Sequence, residues 1–201
     1  MTTAASKRPR LETERLILRV PELADLDRWA ELMANEDAAH FIGGVAAKPV
    51  VWRMIMQMVG AWEVTGVSMF SVIEKSTGRW IGRVGPWQPY AWPGTEVGWA
   101  LHPDVWGKGY AVEAAAAAMD YAVDVLGWTN VIHLVHPDNV RSRRVAERLR
   151  SKLQGHARMP APYDGEPSEV WGQTGDEWRI NRASLPLVVL KTPVQSPVSD
   201  R

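Results

Sequence analysis

No cysteine occurs among the 201 residues. That excludes a disulfide scaffold, thiol catalysis and cysteine-ligated zinc. An excess of one charge is also missing: Lys and Arg total 23, as do Asp and Glu, so the chain lacks the global basicity of a nucleic-acid binder. No apolar run reaches the roughly 18 residues a membrane span needs. The start, MTTAASKRPRLETERL, holds no apolar core of a secretion signal. A soluble, cytoplasmic protein is the expectation. At 46% apolar and 23% charged residues, the composition is that of a globular protein rather than a disordered or fibrous one. What stands out is tryptophan. Five of the 11 fall between Trp80 and Trp106, which suggests an aromatic-lined cleft or an unusually heavy core.

The length favours one domain, and no linker or internal repeat divides it. Residues 1–10 read as a loose basic arm, 11–190 as the domain, and the Pro- and Ser-rich residues 191–201 as a loose tail. Residues 15–20 (RLILRV) predict a strand, and apolar positions at helical spacing predict a helix over 22–34. A second helix runs from Pro49, suited to a first turn, to Gly66. Residues 67–73 and 80–88 form hairpin partners around Ser76-Thr77-Gly78. Residues 95–101 (TEVGWAL) predict a strand with Val97, Trp99 and Leu101 on one face and Glu96, Gly98 and Ala100 on the other. An alanine-rich helix follows, stopped at Gly127. The buried strand 131–135 is expected parallel to 95–101, which makes a right-handed crossover unit. A short basic helix over 141–150, loops, a strand over 169–173 and a short segment around Trp178 complete the reading.

The central motif is Trp106-Gly107-Lys108-Gly109-Tyr110-Ala111, placed after a strand and opening a helix. Gly107 and Gly109 remove side chains, so successive backbone N–H groups can face one anion. The helix start adds unpaired N–H groups and a positive dipole end. An ordinary tight turn is the plainer reading. A dinucleotide fingerprint is not met, because the third glycine is absent, and neither is a P-loop.

Residues 96–149 resemble the core of the GNAT N-acetyltransferase superfamily, in its ribosomal-protein N-acetyltransferase-like (Rim-type) branch. The matching pieces are EVGW at 96–99, WGKGYAVEA at 106–114, DYA at 120–122, PDNVRS at 137–142 and VAERL at 145–149. ETERLILR at 12–19 and EVWGQTGDEW at 169–178 support them, so the resemblance spans about residues 12–180. It implies an α/β (α+β) fold: a mixed, mostly antiparallel sheet with two splayed parallel central strands, flanked by helices. It implies transfer of an acetyl group from acetyl-CoA to a primary amine, on a protein N-terminus or a small molecule, in a ternary complex. No metal is implied.

On this resemblance, backbone at Ala100, Leu101 and His102 would pair with the pantetheine arm. Trp106 and the amides of Gly107, Lys108, Gly109, Tyr110 and Ala111 would hold the pyrophosphate. Asn139 and Ser142 match the family's Asn-x-x-Ser pair, with Ser142 placed to donate to the departing thiolate; Asn139 also suits plain helix capping. Arg143 or Arg144 would reach the CoA 3′-phosphate, unless the five arginines of 141–150 are only a solvated face. Glu96 is the candidate base, although a glutamate there also suits a cross-strand ion pair. An N–H near Leu101 would stabilise the carbonyl oxygen. Phe41, Trp87, Tyr90 and Trp92 would wall an acceptor pocket, or form an exposed structural patch.

Two departures from the family pattern stand out. Trp106 replaces the usual Gln or Arg. Arg150-Ser151 replaces a Gly-aromatic pair, which puts the left-handed cap in question. They motivate an alternative, a non-catalytic acyl-CoA-binding or sensing module on the same fold. An RNA-associated protein is a third reading, disfavoured by the balanced charge. His133 and His136, three apart on a strand, point to opposite faces and do not suit a shared metal. No membrane partner is expected, and exposed tryptophans leave a homodimer open.

Overall fold

The computed structural model describes residues 8–161, 163–165 and 167–185, and the backbone of 189–190. The start of the expected arm and the expected tail lie outside the described residues. Among the described residues nine strands form one sheet: β1 (Arg10–Thr13), β2 (Leu16–Arg19), β3 (Phe70–Glu74), β4 (Trp80–Trp87), β5 (Glu96–Leu101), β6 (Asn130–Val135), β7 (Lys152–Ala157), β8 (Ser168–Thr174) and β9 (Val189–Leu190). Their order is β7-β8-β6-β5-β4-β3-β2-β1-β9. Every neighbouring pair is antiparallel except β5 and β6. This is the mixed sheet that the resemblance implies.

Two layers of helix cover the sheet. One face carries α1 (Leu26–Ala34), the single turn α2 (Glu36–Ala39) and α3 (Lys48–Thr65). Trp29, Leu32, Met33, Ile55 and Met58 pack there on Ile73 and Trp80, and Trp29 stacks on Trp80 with centroids 5.2 Å apart. The other face carries α4 (Tyr110–Asp124). Five successive alanines, Ala114 to Ala118, give α4 its propensity. All five are buried, and their small side chains let the helix lie close on Val84, Val97 and Leu101. α5 (Val140–Arg148) and α6 (Gly175–Arg182) follow β6 and β8. Among the described residues no helix is long and apolar enough to cross a membrane.

Several boundaries differ from the sequence reading. Arg10, read as the end of the arm, opens β1. The predicted helix over 22–34 begins as a 3-10 turn, Leu23–Asp25. α4 ends before Gly127. β7 has no counterpart in the sequence reading: it is an edge strand with mostly exposed side chains, so it shows no apolar alternation. Gly66 caps α3 in the left-handed conformation, φ 71°, as expected.

Candidate active site

The parallel pair β5–β6 is matched at one position, Glu96 opposite Ile132, where Ile132 N–H donates to Thr95 C=O at 3.0 Å. Beyond it the strands part. The next rung would join Leu134 N–H to Val97 C=O. Instead the Glu96 carboxylate accepts from Leu134 N–H at 3.4 Å, and His133 Nδ1 meets Val97 C=O at 2.7 Å. A carbonyl can only accept, so Nδ1 carries the proton. His133 Nε2 then accepts from Ser151 Oγ, 3.0 Å away, and Gln173 Nε2 donates to that hydroxyl at 3.0 Å. The imidazole is buried, which pushes its pKa down to about 4 and keeps it neutral.

Alternation decides which backbone faces the gap. His102 N–H donates to Ile81 C=O at 2.8 Å, and Ala100 is paired with Arg83 of β4. The expectation that Ala100 and His102 offer their backbone to a ligand is therefore corrected, because β4 already holds them. Trp99 and Leu101 turn the other way, into the gap. Leu101 C=O accepts from Trp106 Nε1 at 2.8 Å, which leaves Leu101 N–H facing the opening.

The glycine loop follows. Gly107 and Gly109 take φ of 78° and 80°, a region glycine enters without strain, and the place of a Gly107 side chain is open space. Among the described residues no hydrogen bond takes the N–H groups of Gly107, Lys108, Gly109, Tyr110 or Ala111. The loop is anchored from behind: Arg15 Nη1 donates to Lys108 C=O at 3.0 Å, and its guanidinium pairs with buried Glu113 at 2.6 Å. That ion pair neutralises the one carboxylate in the first turn of α4. The Tyr110 side chain points away, and its hydroxyl donates to Glu74 at 2.7 Å. An open ring of donors at a 15-residue helix start fits a diphosphate.

α5 borders the same opening. Asn139 Oδ1 caps α5 by accepting from Ser142 N–H at 3.1 Å. Trp99 Nε1 donates to Ser142 Oγ at 3.2 Å. An indole can only donate, so the Ser142 hydroxyl keeps its own hydrogen for another acceptor. Arg143 Nη1 donates to Pro137 C=O at 2.9 Å and lies 3.8 Å from Glu169. Arg144 is exposed on α5. The arginine at the loop is Arg141, its guanidinium carbon 4.0 Å above the Trp106 ring. Trp106 thus loses the polar contact of a Gln or Arg but recruits a cation from α5.

On the opposite face of β5, Glu96 is buried and accepts from Trp92 Nε1 at 2.6 Å. Burial outweighs its hydrogen bonds and pushes its pKa up to about 7. Several of the aromatic side chains near this face meet one another. Trp87 meets Trp92 edge-on at 6.4 Å, Trp92 meets Tyr163 at 6.1 Å, and Phe41 lies 5.1 Å from His136. Tyr90 is corrected: it is 99% exposed at the tip of the loop and walls nothing. Tyr163 and Arg83 belong to this face and were not singled out from the sequence. Their placement depends on a cross-strand register and a long loop that local pattern does not specify.

Comparisons with known proteins bear on the family and the fold. An acetyltransferase (GNAT) domain model matches residues 15–152. The chain is 30% identical over 164 residues to p20 of Bacillus licheniformis, named an uncharacterised N-acetyltransferase, covering 80% of this chain and 92% of that one. A crystal structure of an acetyltransferase from Agrobacterium tumefaciens superimposes with a TM-score of 0.73 at 31% identity, covering 82% of this chain and 94% of the other. Mycobacterium smegmatis RimJ, solved in complex with CoA-disulfide, shares the fold with a TM-score of 0.67 at 15% identity, covering 88% and 93%. The chain belongs to the GNAT acetyltransferase family and is an acyltransferase.

Proposed function

We propose that the protein moves an acetyl group from acetyl-CoA directly to a primary amine while both are bound. The observation that carries this reading is the parting of β5 and β6 after Glu96 and Ile132. In this reading the parting lets one thioester reach both the glycine loop beyond β5 and Glu96 on the face of β5 away from α4. With no cysteine, a covalent thiol route is closed, and a ternary complex fits.

In this reading the amides of residues 107–111, with Arg141, hold the diphosphate, and the Leu101 N–H donates to the thioester carbonyl oxygen as it gains charge. Glu96 takes the proton of the ammonium group directly or through water; a carboxylate near neutrality is suited to that work. Ser142, its oxygen already accepting from Trp99, donates to the departing thiolate. The two departures from the family pattern are absorbed: Arg150 keeps the left-handed turn at φ 65°, and Trp106 seats Arg141.

The test is a panel of amines incubated with acetyl-CoA, reading free CoA thiol. Thiol release with at least one amine class, lost in Glu96→Gln while acetyl-CoA still binds, is the expected result. Calorimetric binding of acetyl-CoA without release for any amine would instead establish a binding module.

A further inference from the structure

Arg83 lies on β4 directly opposite Ala100, so it shares the face of β5 that carries Glu96 and Gly98. Its side chain is part-buried, and among the described residues no anion pairs with it. Nε is buried and has no hydrogen-bond partner, and Nη1 meets only the thioether sulfur of Met69, at 2.7 Å. Among the described residues no carboxylate lies within ion-pair distance of it. A part-buried cation with a buried, unpartnered Nε and a weak sulfur acceptor is a costly arrangement that an anion would relieve. Burial pulls its pKa down, while Tyr163 and Glu96 act on it through space in the other direction. A guanidinium stays charged regardless.

Between Arg83 and Glu96 the sheet presents Gly85 opposite Gly98, so no Cβ stands there. The Met69 methyl occupies the space above Gly98, 2.7 Å from where a Cβ would sit, and methionine is readily displaced. The face therefore places a carboxylate that can take a proton and an unpaired cation on the two sides of Gly98, with the displaceable Met69 methyl between them and Trp92, itself in contact with Trp87 and Tyr163, donating to the carboxylate.

We infer that the acceptor amine carries a carboxylate, which Arg83 binds while the amine lies at Glu96. This rests on the transfer reading above. The carboxylate belongs either to a free amino acid or to an acidic side chain at a peptide N-terminus.

Matched pairs test it. Phenylalanine is compared with 2-phenylethylamine, and the dipeptide amide Asp-Phe-NH₂ with Asn-Phe-NH₂, as kcat/KM from CoA thiol release. A charge-assisted contact predicts at least a roughly tenfold preference for the carboxylated member of one pair, and the pair that responds identifies the source. In Arg83→Met the ratio falls to near one whatever the absolute rate, and Arg83→Lys restores part of it. Calorimetry with 3-phenylpropionate reads the same contact without turnover: the wild-type protein binds it and Arg83→Met does not. Equal rates within both pairs, a preference that survives Arg83→Met, or no binding of 3-phenylpropionate would overturn the inference. Release of thiol from uncharged amines with no preference sinks this inference alone. No release from any amine, with 3-phenylpropionate still bound through Arg83, sinks the transfer reading instead.

Discussion

His133 Nδ1 lies 2.7 Å from the carbonyl of Val97, in the position that the next rung of the β5–β6 ladder would occupy. A side chain has replaced a backbone partner. The strands can part there without orphaning a buried carbonyl, whose desolvation would cost about 1–3 kcal/mol. His133 is in this sense the hinge pin of the opening.

The pH dependence of stability follows with a definite sign. The folded-state pKa of His133 is depressed to about 4, so between that value and the ordinary 6.5 the unfolded chain binds more protons. Stability is gained as pH rises through this window and lost as pH falls. Relative to His133→Gln, the wild-type protein should gain up to about 3 kcal/mol between pH 4 and 6.5. Urea unfolding at several pH values measures it, and parallel curves for the two proteins would refute the neutral, buried imidazole. Glu96, with its raised pKa, acts in the opposite direction but is common to both proteins and cancels.

Glu96 should appear in the rate profile. With its carboxyl pushed up to about 7, kcat/KM rises with pH through that value as the base is freed. Glu96→Gln should lose that limb and roughly a hundredfold or more in rate, with little change in acetyl-CoA affinity by calorimetry. A variant that keeps the limb assigns it to another group.

Arg141 and Arg143 separate by function. Arg141 stacks on Trp106 beside the loop, so Arg141→Ala should raise the KM for acetyl-CoA roughly tenfold with kcat little changed. Arg143 holds Pro137 C=O, so Arg143→Ala should lower thermal stability and leave that KM alone. Steady-state kinetics and a thermal melt of each variant distinguish them, and interchanged phenotypes would contradict the geometry.

Arg150 holds a left-handed turn at φ 65° with a side chain that is exposed. Glycine adopts this conformation at lower cost, and Arg150→Gly should raise stability by about 0.5–1 kcal/mol. A melting temperature roughly 2–3 °C higher is expected for a chain of this size. An unchanged or lower value would mean that the side chain makes a compensating contact.

Local conformations and one motif are legible in the chain alone. The alternation of Glu96, Gly98 and Ala100 against Val97, Trp99 and Leu101, the alanine helix and the two glycines at 107 and 109 are short-range facts. Periodicity and φ preference write them into neighbouring residues. Which groups meet across the sheet was decided only by tertiary structure. Arg83 comes opposite Ala100 through register, and a one-residue slip would place it on the other face. Arg141 comes to lie over the Trp106 ring only because α5 packs beside the loop. His133, legible as a buried strand residue, becomes the partner of Val97 only where two strands 36 residues apart come together and then part.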